Sequence, residues 1–521
     1  MHRLVIALVT LLGLIGGAVV AGYLVLFSVA TDRAAALAPG NSVAYLNIYL
    51  QPSTGQQMNL AGLIGRLPGF ADDASLDDKI DRVVDNLLGE VGLDYNDQVK
   101  PWLGTQVAVA AWPADDAVAA PGAVVIVEVK DRTAAEAAVR EFVGTDGSAF
   151  LTEAYRGVDL HVAEGTAYGF FGDMLVIGQA VESVQAVVDT QAEGDALAER
   201  DDFASMMASL ESDHLASLFA DLDGIANAAS AGDELSGVTI VGAALVAEPD
   251  GLRVSGSAPF NSEISTPSAR AGFALGGEPS SLVDWMPEGT VAELVIFSLA
   301  QTLEDAEAAI GSNPAGEEVV NTLDTIRAAA ALGLGINIDT DVLPLLDREV
   351  GLAIGGLDAG GLPSGQLLLR PEDPEAAEAA LATLAERLVE IGAMMRTESV
   401  AGVEVTILSI PQVGEIAYAL VDGIVILALD AVDIETAIGA HADGRALVAS
   451  DRYVHTFDLA GERAGNEVYV NIGALVDLMG DGLGLPDDAR DILGQVGTFG
   501  LTVPSGDDRI DFHAVLTIDE P

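Results

Sequence analysis

The sequence predicts an α+β fold made of two homologous tandem repeats that follow an N-terminal transmembrane helix. Each repeat is expected to be a mainly antiparallel sheet with helices packed on one face. The first observation is that residues 92–110, GLDYNDQVKPWLGTQVAVA, recur at 335–353 as GINIDTDVLPLLDREVGLA. The second is that short strands joined by hairpin turns outnumber regular strand–helix alternation, as is typical of antiparallel sheets. The third is a long uncharged run near the N-terminus.

The recurrence extends along most of the chain. PGNSVAYLNIYL from Pro39 matches PEGTVAELVIFSL from Pro287, and ALAERDDF from Ala196 matches ALVASDRY from Ala446. At 92–110 the shared residues are Gly, Leu or Ile, Pro, Leu and Val, which are typical of a turn and a buried strand. The copies differ at Trp102 against Leu345, Lys100 against Leu343 and Gln106 against Glu349.

These matches place the domain boundaries. Residues 1–33 are predicted to be a transmembrane signal-anchor, 34–260 the first α+β repeat, 261–282 a linker rich in Ser, Gly and Pro, and 283–521 the second α+β repeat. A doubly wound parallel sheet is the alternative fold, and it requires more regular β–α alternation than the sequence contains.

Each repeat reads as strand, helix, two strands, helix, several antiparallel strands, helix and closing strands. In the first repeat an amphipathic helix is predicted over 80–91, because apolar residues recur there at i, i+3, i+4, i+7 and i+8. The matching helix carries Val319, Val320, Leu323, Ile326 and Ala330. Asp250-Gly251 is a direct hairpin signal within the closing strands of the first repeat.

Leu4 to Ala30 contain no charged residue. This run is longer than the roughly 20 residues that span a bilayer and longer than the roughly 7–15-residue apolar region of a cleavable signal. Arg3 before it favours a cytoplasmic N-terminus. The sequence therefore predicts a single-pass anchor in the cell membrane, with the bulk of the chain extracytoplasmic. Cleavage near Ala34-Ala35-Ala36 is the alternative.

The chain of 521 residues is strongly acidic, with 80 Asp and Glu against 23 Lys and Arg and a formal charge of −57. The negative electrostatic field of such a chain repels the phosphates of nucleic acids, so no nucleic-acid partner is expected. A diffuse cation atmosphere is expected instead, and either adaptation to salt or codon bias explains the acidity. There is no cysteine, which excludes disulfides, thiolate catalysis and cysteine metal sites.

Catalytic signatures are missing from the sequence. The histidines form neither HExxH nor an i, i+4 pair, and neither a G-x-S-x-G elbow nor a Walker A loop occurs. We therefore assign no catalytic, cofactor-binding or metal residues and no cofactor, and predict that the chain is not an enzyme. A lone histidine such as His161 or His513 is more often a surface or core residue than a ligand.

Closely spaced carboxylates are common in so acidic a chain and carry little information. Asp221 with Asp223, and Asp339 with Asp341, offer oxygen atoms to calcium, but neither follows the spacing of a calcium-binding loop. Trp102 is the aromatic residue that stands out. We interpret it as an apolar plug under the sheet rather than a ligand-stacking residue, because leucine takes its place in the second copy.

The apolar N-terminal run, LAPGNSVAYLNIYL with QPSTGQQMNLAGLIGRLPGF, and YNDQVKPWLGTQVAVA together resemble an uncharacterised bacterial family. It is the family of a domain of unknown function, number thirty-three fifty-two. The resemblance covers nearly all of the extracytoplasmic chain and is most specific at 97–110. It implies a membrane-anchored envelope protein, and it supplies no catalytic or binding residues.

Three functions remain open. The first is non-enzymatic binding or scaffolding of a partner in the cell envelope. The second is carriage of an apolar ligand or lipid between the repeats, with Leu175, Ile177, Val425 and Leu427 lining the cavity. The third is a hydrolase whose site is assembled from scattered Asp and Glu residues, which needs two carboxylates facing a cleft.

Overall fold

The fold is that of a computed structural model, which describes residues 32–67, 81, 94–114, 121–143, 150–163, 165–228, 237–312, 317–357, 363–411, 414–461, 463–479, 493–506 and 508–520. Two compact units are formed. The first combines the N-terminal part of the described chain with Val238–Pro259, and the second runs mainly from Phe260 to Thr517. Helices and antiparallel strands are mixed in both units, so the predicted α+β class is confirmed.

The first unit is built around an antiparallel sheet whose strands lie side by side in the order β4-β5-β6-β7-β3-β2-β1-β8-β9-β10. In chain order its elements are β1 (Ala44–Tyr49), α1 (Thr54–Arg66), β2 (Leu103–Trp112), β3 (Gly122–Val129), α2 (Arg132–Val143), β4 (Leu151–Tyr155), β5 (Val158–Ala163), β6 (Thr166–Phe171), β7 (Met174–Gly178), α3 (Val181–Glu193), α4 (Asp201–Ser209), β8 (Ala216–Asp221), α5 (Leu222–Ala228), β9 (Ile240–Glu248) and β10 (Gly251–Pro259).

The second unit has strands in the corresponding order β14-β15-β16-β17-β13-β12-β11-β18-β19-β20. In chain order its elements are α6 (Pro267–Leu275), β11 (Ala292–Phe297), α7 (Leu299–Ser312), α8 (Glu317–Ala329), β12 (Glu349–Leu357), β13 (Pro363–Arg370), α9 (Pro374–Glu390), β14 (Met394–Val400), β15 (Val403–Ile410), β16 (Gly414–Val421), β17 (Ile424–Ala428), α10 (Ala431–Asp443), α11 (Asp451–Ala460), β18 (Asn466–Asn471), α12 (Ile472–Met479), β19 (Val496–Val503) and β20 (Arg509–Ile518).

The two units agree in register as well as in order. Tyr45 of β1 pairs with Ala110 and Phe219. The residue at the same place in β11, Glu293, pairs with Ala353 and Tyr469. Both α3 and α10 end at a glycine in the left-handed conformation, with φ of 72° at Gly194 and 66° at Gly444.

Helices pack on both faces of each sheet, and the prediction of one covered face is wrong. In β7, Met174 and Val176 belong to a core with α3 and α4, whereas Leu175 points the other way into a core with α2. In the second unit, Ile426 packs with α10 and α11 and Val425 packs with α9. The sequence did carry a sign of this, because a strand that is apolar without alternation is typical of burial on both faces.

The segment predicted as a linker, 261–282, is a folded part of the second unit. Thr266 caps α6, its hydroxyl accepting a hydrogen bond from the Ala269 amide at 3.2 Å, and Pro267 occupies the first turn. Leu282 is fully buried in the core. The Ser, Gly and Pro content therefore reflects helix capping and turns, and the boundary between the units falls at Pro259.

The recurring stretch forms a capped turn followed by a strand in both units. Asp94 and Asn337 each cap a single π-helical turn, at Tyr95–Val99 and Ile338–Val342, and β2 and β12 come next in the chain. The predicted helix over 319–330 is present as α8. Its apolar face is only partly buried, since Val319 and Ile326 remain about half exposed. The helix predicted over 80–91 lies outside the described residues, apart from Asp81.

The predicted transmembrane helix also lies outside the described residues, which begin at Asp32. Among the described residues, no single helix is both long enough and apolar enough to cross a membrane. A bent pair, Val319–Gly333 with Ile338–Leu346, reaches that length and composition only when its two parts are taken together.

Candidate functional site

An apolar row crosses the sheet of the second unit on one face. Cross-strand pairing lines up one side chain from each of several adjacent strands, because residues opposite each other in antiparallel strands share a face. Seven strands contribute to it, which at about 4.8 Å per strand gives a row roughly 29 Å long. Its members, from β19 to β16, are Leu501, Val468, Leu294, Leu352, Leu367, Leu427 and Tyr418.

The row is partly open to solvent along its length. Leu294, Leu352 and Leu367 are 37%, 38% and 36% exposed, whereas their strand neighbours on the opposite face, such as Ala353 and Leu368, are fully buried. Adjacent exposed leucines on three neighbouring strands form an apolar patch and not isolated surface residues.

A helix covers the next row of the same face, and its cluster also packs against one end of the open row, at Leu427 and Tyr418. Val350, Leu369 and Val425 lie two residues further along β12, β13 and β17, and they are buried against Leu381 of α9. The first unit repeats this arrangement with α2, which covers Val127 and Leu175. Its partly open row consists of Leu218, Leu46, Val109, Val125 and Ile177.

The residues predicted to line an apolar cavity separate into two groups. Leu175 and Val425 are fully buried, under α2 and α9 respectively. Ile177 and Leu427 lie in the partly open rows. The strand positions were therefore correctly recognised as facing one side of each sheet, but the sequence did not distinguish the helix-covered half of that side from its open half.

The interior of the first unit contains a hydrogen-bonded polar cluster on the other side of the sheet. The Tyr45 hydroxyl donates to Asp32, at 2.7 and 2.9 Å from its two carboxylate oxygens. Gln106 Nε2 donates to Asp32 Oδ1 at 3.3 Å and to Asn47 Oδ1 at 3.1 Å. Burial raises the pKa of Asp32, and these hydrogen bonds oppose the rise.

The corresponding interior of the second unit contains glutamates. Glu293, Glu349 and Glu467 take the places of Tyr45, Gln106 and Ser217 and are 2%, 0% and 1% exposed. Glu349 is well satisfied, accepting hydrogen bonds from the Ser280 hydroxyl at 2.6 Å and the Ser281 amide at 3.1 Å.

Glu467 and Glu293 are less well satisfied than Glu349. Glu467 accepts a hydrogen bond from the Tyr453 hydroxyl and pairs with Arg463 at 3.4 Å. Among the described residues, neither oxygen of Glu293 accepts a hydrogen bond of good geometry. Burial raises the pKa of Glu467 to about 7 and that of Glu293 well above its usual range.

The other residues singled out in the sequence have structural surroundings. Trp102 is buried under the sheet, and its indole donates to the Gln98 carbonyl at 2.6 Å. His161 stacks on Tyr168 with ring centroids 4.6 Å apart.

The two carboxylate pairs are engaged by arginines. Asp221 pairs with Arg200 at 3.1 Å, and Asp339 pairs with Arg327 at the same distance. No group of three or more His, Cys, Asp or Glu side chains within the described ranges is placed to hold a metal ion.

A family model described as "Protein of unknown function (DUF3352)" matches residues 4–517. The chain belongs to this family. The match confirms the resemblance seen in the sequence, and the family description assigns no activity. No curated protein matches the DUF3352 chain.

Three crystal forms of TP0453, described as forms III, I and IV, are among the similar solved structures. Each is 11% identical to the chain. They cover 45%, 45% and 44% of this chain and 82%, 80% and 81% of their own, with TM-scores of 0.26, 0.25 and 0.25. Similarity at this level supports no argument about the DUF3352 chain.

The apolar rows and the interior glutamates were both missed in the sequence, for different reasons. The rows arise from pairing register, which joins leucines that lie far apart in the chain, such as Leu294 and Leu352. A weak signal existed in Leu367, which alternates with buried residues in a strand where an exposed position is usually polar. The glutamates gave no signal, because carboxylates are common throughout this sequence.

Proposed function

We propose that this DUF3352 chain is a membrane-anchored extracytoplasmic protein with a non-enzymatic role, and that it binds an apolar molecule on the partly open rows of its sheets. The row Leu294–Leu352–Leu367 carries this proposal, because a soluble surface rarely leaves adjacent large apolar side chains uncovered unless they contact something. A binding or scaffolding role in the cell envelope is the broader form of the same proposal.

The anchor is supported by the apolar run from Leu4 to Ala30 and by the residues immediately after that run. Asp32 is hydrogen-bonded to Tyr45 and Gln106 inside the first unit. Ala34 and Ala35 are buried in its core. Cleavage after Ala36 would remove a buried hydrogen-bond partner of two side chains, which favours an N-terminal segment that is kept. Intact-mass measurement of the protein extracted from membranes tests this point.

Duplication of one ancestral α+β repeat explains why the units share element order and register. The agreement includes irregular features, such as the capped π-helical turns at Tyr95–Val99 and Ile338–Val342, which are rare in helices generally. A duplicated protein would carry the apolar row twice, and both units do. We therefore propose one binding face in each unit, at equivalent positions.

An acyl chain is the occupant that fits the row best. The row is roughly 29 Å long at about 4.8 Å per strand, one side chain wide at its centre, and lined by Leu and Val. An acyl chain buries apolar surface along its whole length without needing hydrogen-bond partners. The net charge of −57 disfavours an anionic headgroup or polyanionic partner, so a neutral or cationic head is expected.

Binding is tested with delipidated protein and a set of fluorescent acyl probes that differ only in the charge of the head. Leu352→Gln places an amide in the middle of the row of the second unit and is expected to weaken uptake at least tenfold in that unit. Leu332→Gln is the matched control, because Leu332 is 91% exposed and lies outside the row. Thermal unfolding of both variants checks that the fold is retained.

The results of this uptake experiment distinguish acyl binding from nonspecific adsorption and from a scaffolding role. Uptake that Leu352→Gln weakens and Leu332→Gln does not supports an acyl-binding face. Uptake that responds equally to both changes points to nonspecific adsorption, and no uptake with any probe removes the acyl ligand and leaves the scaffolding role.

A hydrolase using scattered carboxylates is the weaker alternative. Glu293 and Glu467 are neighbouring carboxyl groups, and their exposures of 2% and 1% keep both from contact with a substrate.

A further inference from the structure

Glu293 and Glu467 lie on neighbouring antiparallel strands and point to the same side of the sheet. Glu293 of β11 is paired with Tyr469 of β18, and Glu467 is paired with Val295, two residues along. The two glutamates are thus diagonal neighbours, which places long side chains within reach of each other. Each carboxyl group is at least 98% buried. They interact electrostatically, and each raises the cost of ionising the other.

The charges around this pair do not balance two carboxylates. Arg463, in the turn after α11, pairs with Glu467 at 3.4 Å and is the nearest cation. Glu349 of β12 lies on the same side and has its own partner in Arg370 of β13 at 3.5 Å. From α11, Tyr453 contributes a hydroxyl that donates to Glu467.

Thr502 of β19 lies directly opposite Glu467, and its hydroxyl donates a hydrogen bond to the Ala464 carbonyl at 2.7 Å. The other residues paired with the two glutamates are Val295, Ala353 and Tyr469. Within the described part of the chain Arg463 is the cation that acts on both carboxyl groups, and one positive charge does not balance two buried carboxylates, so one of the glutamates is more stable when protonated. A metal ion is a poorer solution, because the positive charge of Arg463, 3.4 Å from Glu467, repels a second cation.

We propose that the second unit is a proton-dependent fold: Glu293 and Glu467 together hold a proton in the folded state, and loss of this proton loosens β11 and β18. The first unit lacks such a pair of buried carboxyl groups, because Tyr45 and Ser217 replace the two glutamates. Its own interior carboxyl group, Asp32, accepts several hydrogen bonds, which oppose the rise in pKa that burial causes, and it has no second carboxyl group bonded into its cluster.

The direction of the effect is given by proton linkage. Both carboxyl groups have a folded-state pKa above the usual value for glutamate, near 4.5, and that of Glu467 is about 7. The folded state therefore binds more protons than the unfolded state above pH 4.5, so stability is fully present below that pH. It is lost as pH rises through about 7, and the raised pKa of Glu293 adds a loss of the same sign.

Hydrogen–deuterium exchange with mass spectrometry tests this in the full chain, anchored in detergent or nanodiscs. Exchange of peptides covering β11 and β18 is measured from pH 5 to pH 8 and corrected for the intrinsic pH dependence of amide exchange. We expect their opening constant to rise by up to about tenfold per pH unit for each proton lost. Peptides covering β1 and β8 of the first unit are the internal reference, and they should respond much less.

Glu293→Gln and Glu467→Gln remove one ionisable group each while nearly preserving shape, and each should flatten the pH response of β11 and β18. Glu404→Gln is the matched control, because Glu404 is exposed on β15 of the same unit. The control should leave the response unchanged.

A pH response that is equal in the two units of the native protein overturns the proposal. So does a response that survives both glutamine substitutions. If Glu293→Gln does not fold, the comparison of the two units within the native chain still decides the matter. Addition of calcium or chelator at pH 8 provides the last distinction, since protection restored by calcium would identify a metal site instead.

Discussion

The two units place different chemistry at the same points of the same sheet. In the first unit Tyr45, Gln106 and Asp32 form a hydrogen-bonded cluster. In the second unit Glu293 and Glu349 occupy the positions of Tyr45 and Gln106. The strand register is unchanged, so backbone pairing and the apolar positions around the cluster specify the fold, while the polar interior is free to vary.

The difference also shows what a buried carboxylate requires. Glu349 is fully buried and has the Ser280 hydroxyl, the Ser281 amide and Arg370 around it. Glu293 is almost as deeply buried, and among the described residues only the Tyr469 backbone amide approaches it as a donor, without a hydrogen bond of good geometry. Hydrogen-bond partners, and not burial alone, therefore decide whether a buried carboxyl group is best charged or neutral.

The largest effect is expected from removal of a satisfied carboxylate. Glu349→Ala should destabilise the second unit by about 3–5 kcal/mol, because buried serine donors and Arg370 lose their acceptor. Gln106→Ala at the equivalent position should cost the first unit about 1–3 kcal/mol. Urea unfolding, followed unit by unit through hydrogen exchange, measures both. Equal costs would show that the charge of Glu349 does not contribute to the stability of the second unit.

The next effect concerns the tyrosines that serve the interior carboxylates. Tyr45→Phe removes the hydroxyl that donates to Asp32, and Tyr453→Phe removes the one that donates to Glu467. Each should cost about 1.5–3 kcal/mol at pH 8, where a hydrogen bond to an ionised acceptor is lost. The same unfolding experiment at pH 5 and pH 8 is informative. The cost of Tyr453→Phe should grow with pH as Glu467 ionises, and a cost independent of pH would contradict that assignment.

A smaller effect of opposite sign is expected at Glu293. Glu293→Met replaces a buried carboxyl group that makes no hydrogen bond of good geometry among the described residues with an apolar side chain of similar length, which should stabilise the second unit by about 1–2 kcal/mol at pH 8. The gain should shrink toward pH 5, where Glu293 is protonated. Destabilisation at both pH values would mean that the interactions of the Glu293 carboxyl group stabilise the second unit by more than its burial destabilises it.

The smallest and most symmetrical effect is expected at the helix ends. Gly194→Ala and Gly444→Ala place a side chain at φ of 72° and 66°, and nothing lies within 4 Å of either added carbon. Each should cost about 1 kcal/mol from backbone strain alone. Because the conformations match, the two costs should match within the error of thermal unfolding. A clear inequality would break the equivalence of the units.

Periodicity and internal matching were enough to predict much of the fold. The α+β class, the antiparallel hairpin at Asp250-Gly251 and the buried Trp102 are consequences of local patterns, and the structure contains them. The covered faces were predicted wrongly, because the side chosen by a helix such as α2 depends on how the chain crosses the sheet. The linker was misjudged because capping residues such as Thr266 have the same composition as a loop.

The candidate site was less accessible from the sequence than the fold. Ile177 and Leu427 were named as lining residues, but so were Leu175 and Val425, which α2 and α9 bury. Alternation along a strand assigns side chains to a face, and it gives no information about which half of that face a helix covers. Only assembly of the strands in register shows the open row.

The sequence by itself determined the acidity, the absence of cysteine, the matching halves and the apolar N-terminal run, since these are properties of composition and local order. Tertiary structure decided which leucines are open and which glutamates are buried next to each other. Leu294 and Leu352 are 58 positions apart in the numbering and become neighbours by pairing. Glu293 and Glu467 differ from the other acidic residues only in their surroundings, and surroundings form when distant strands come together.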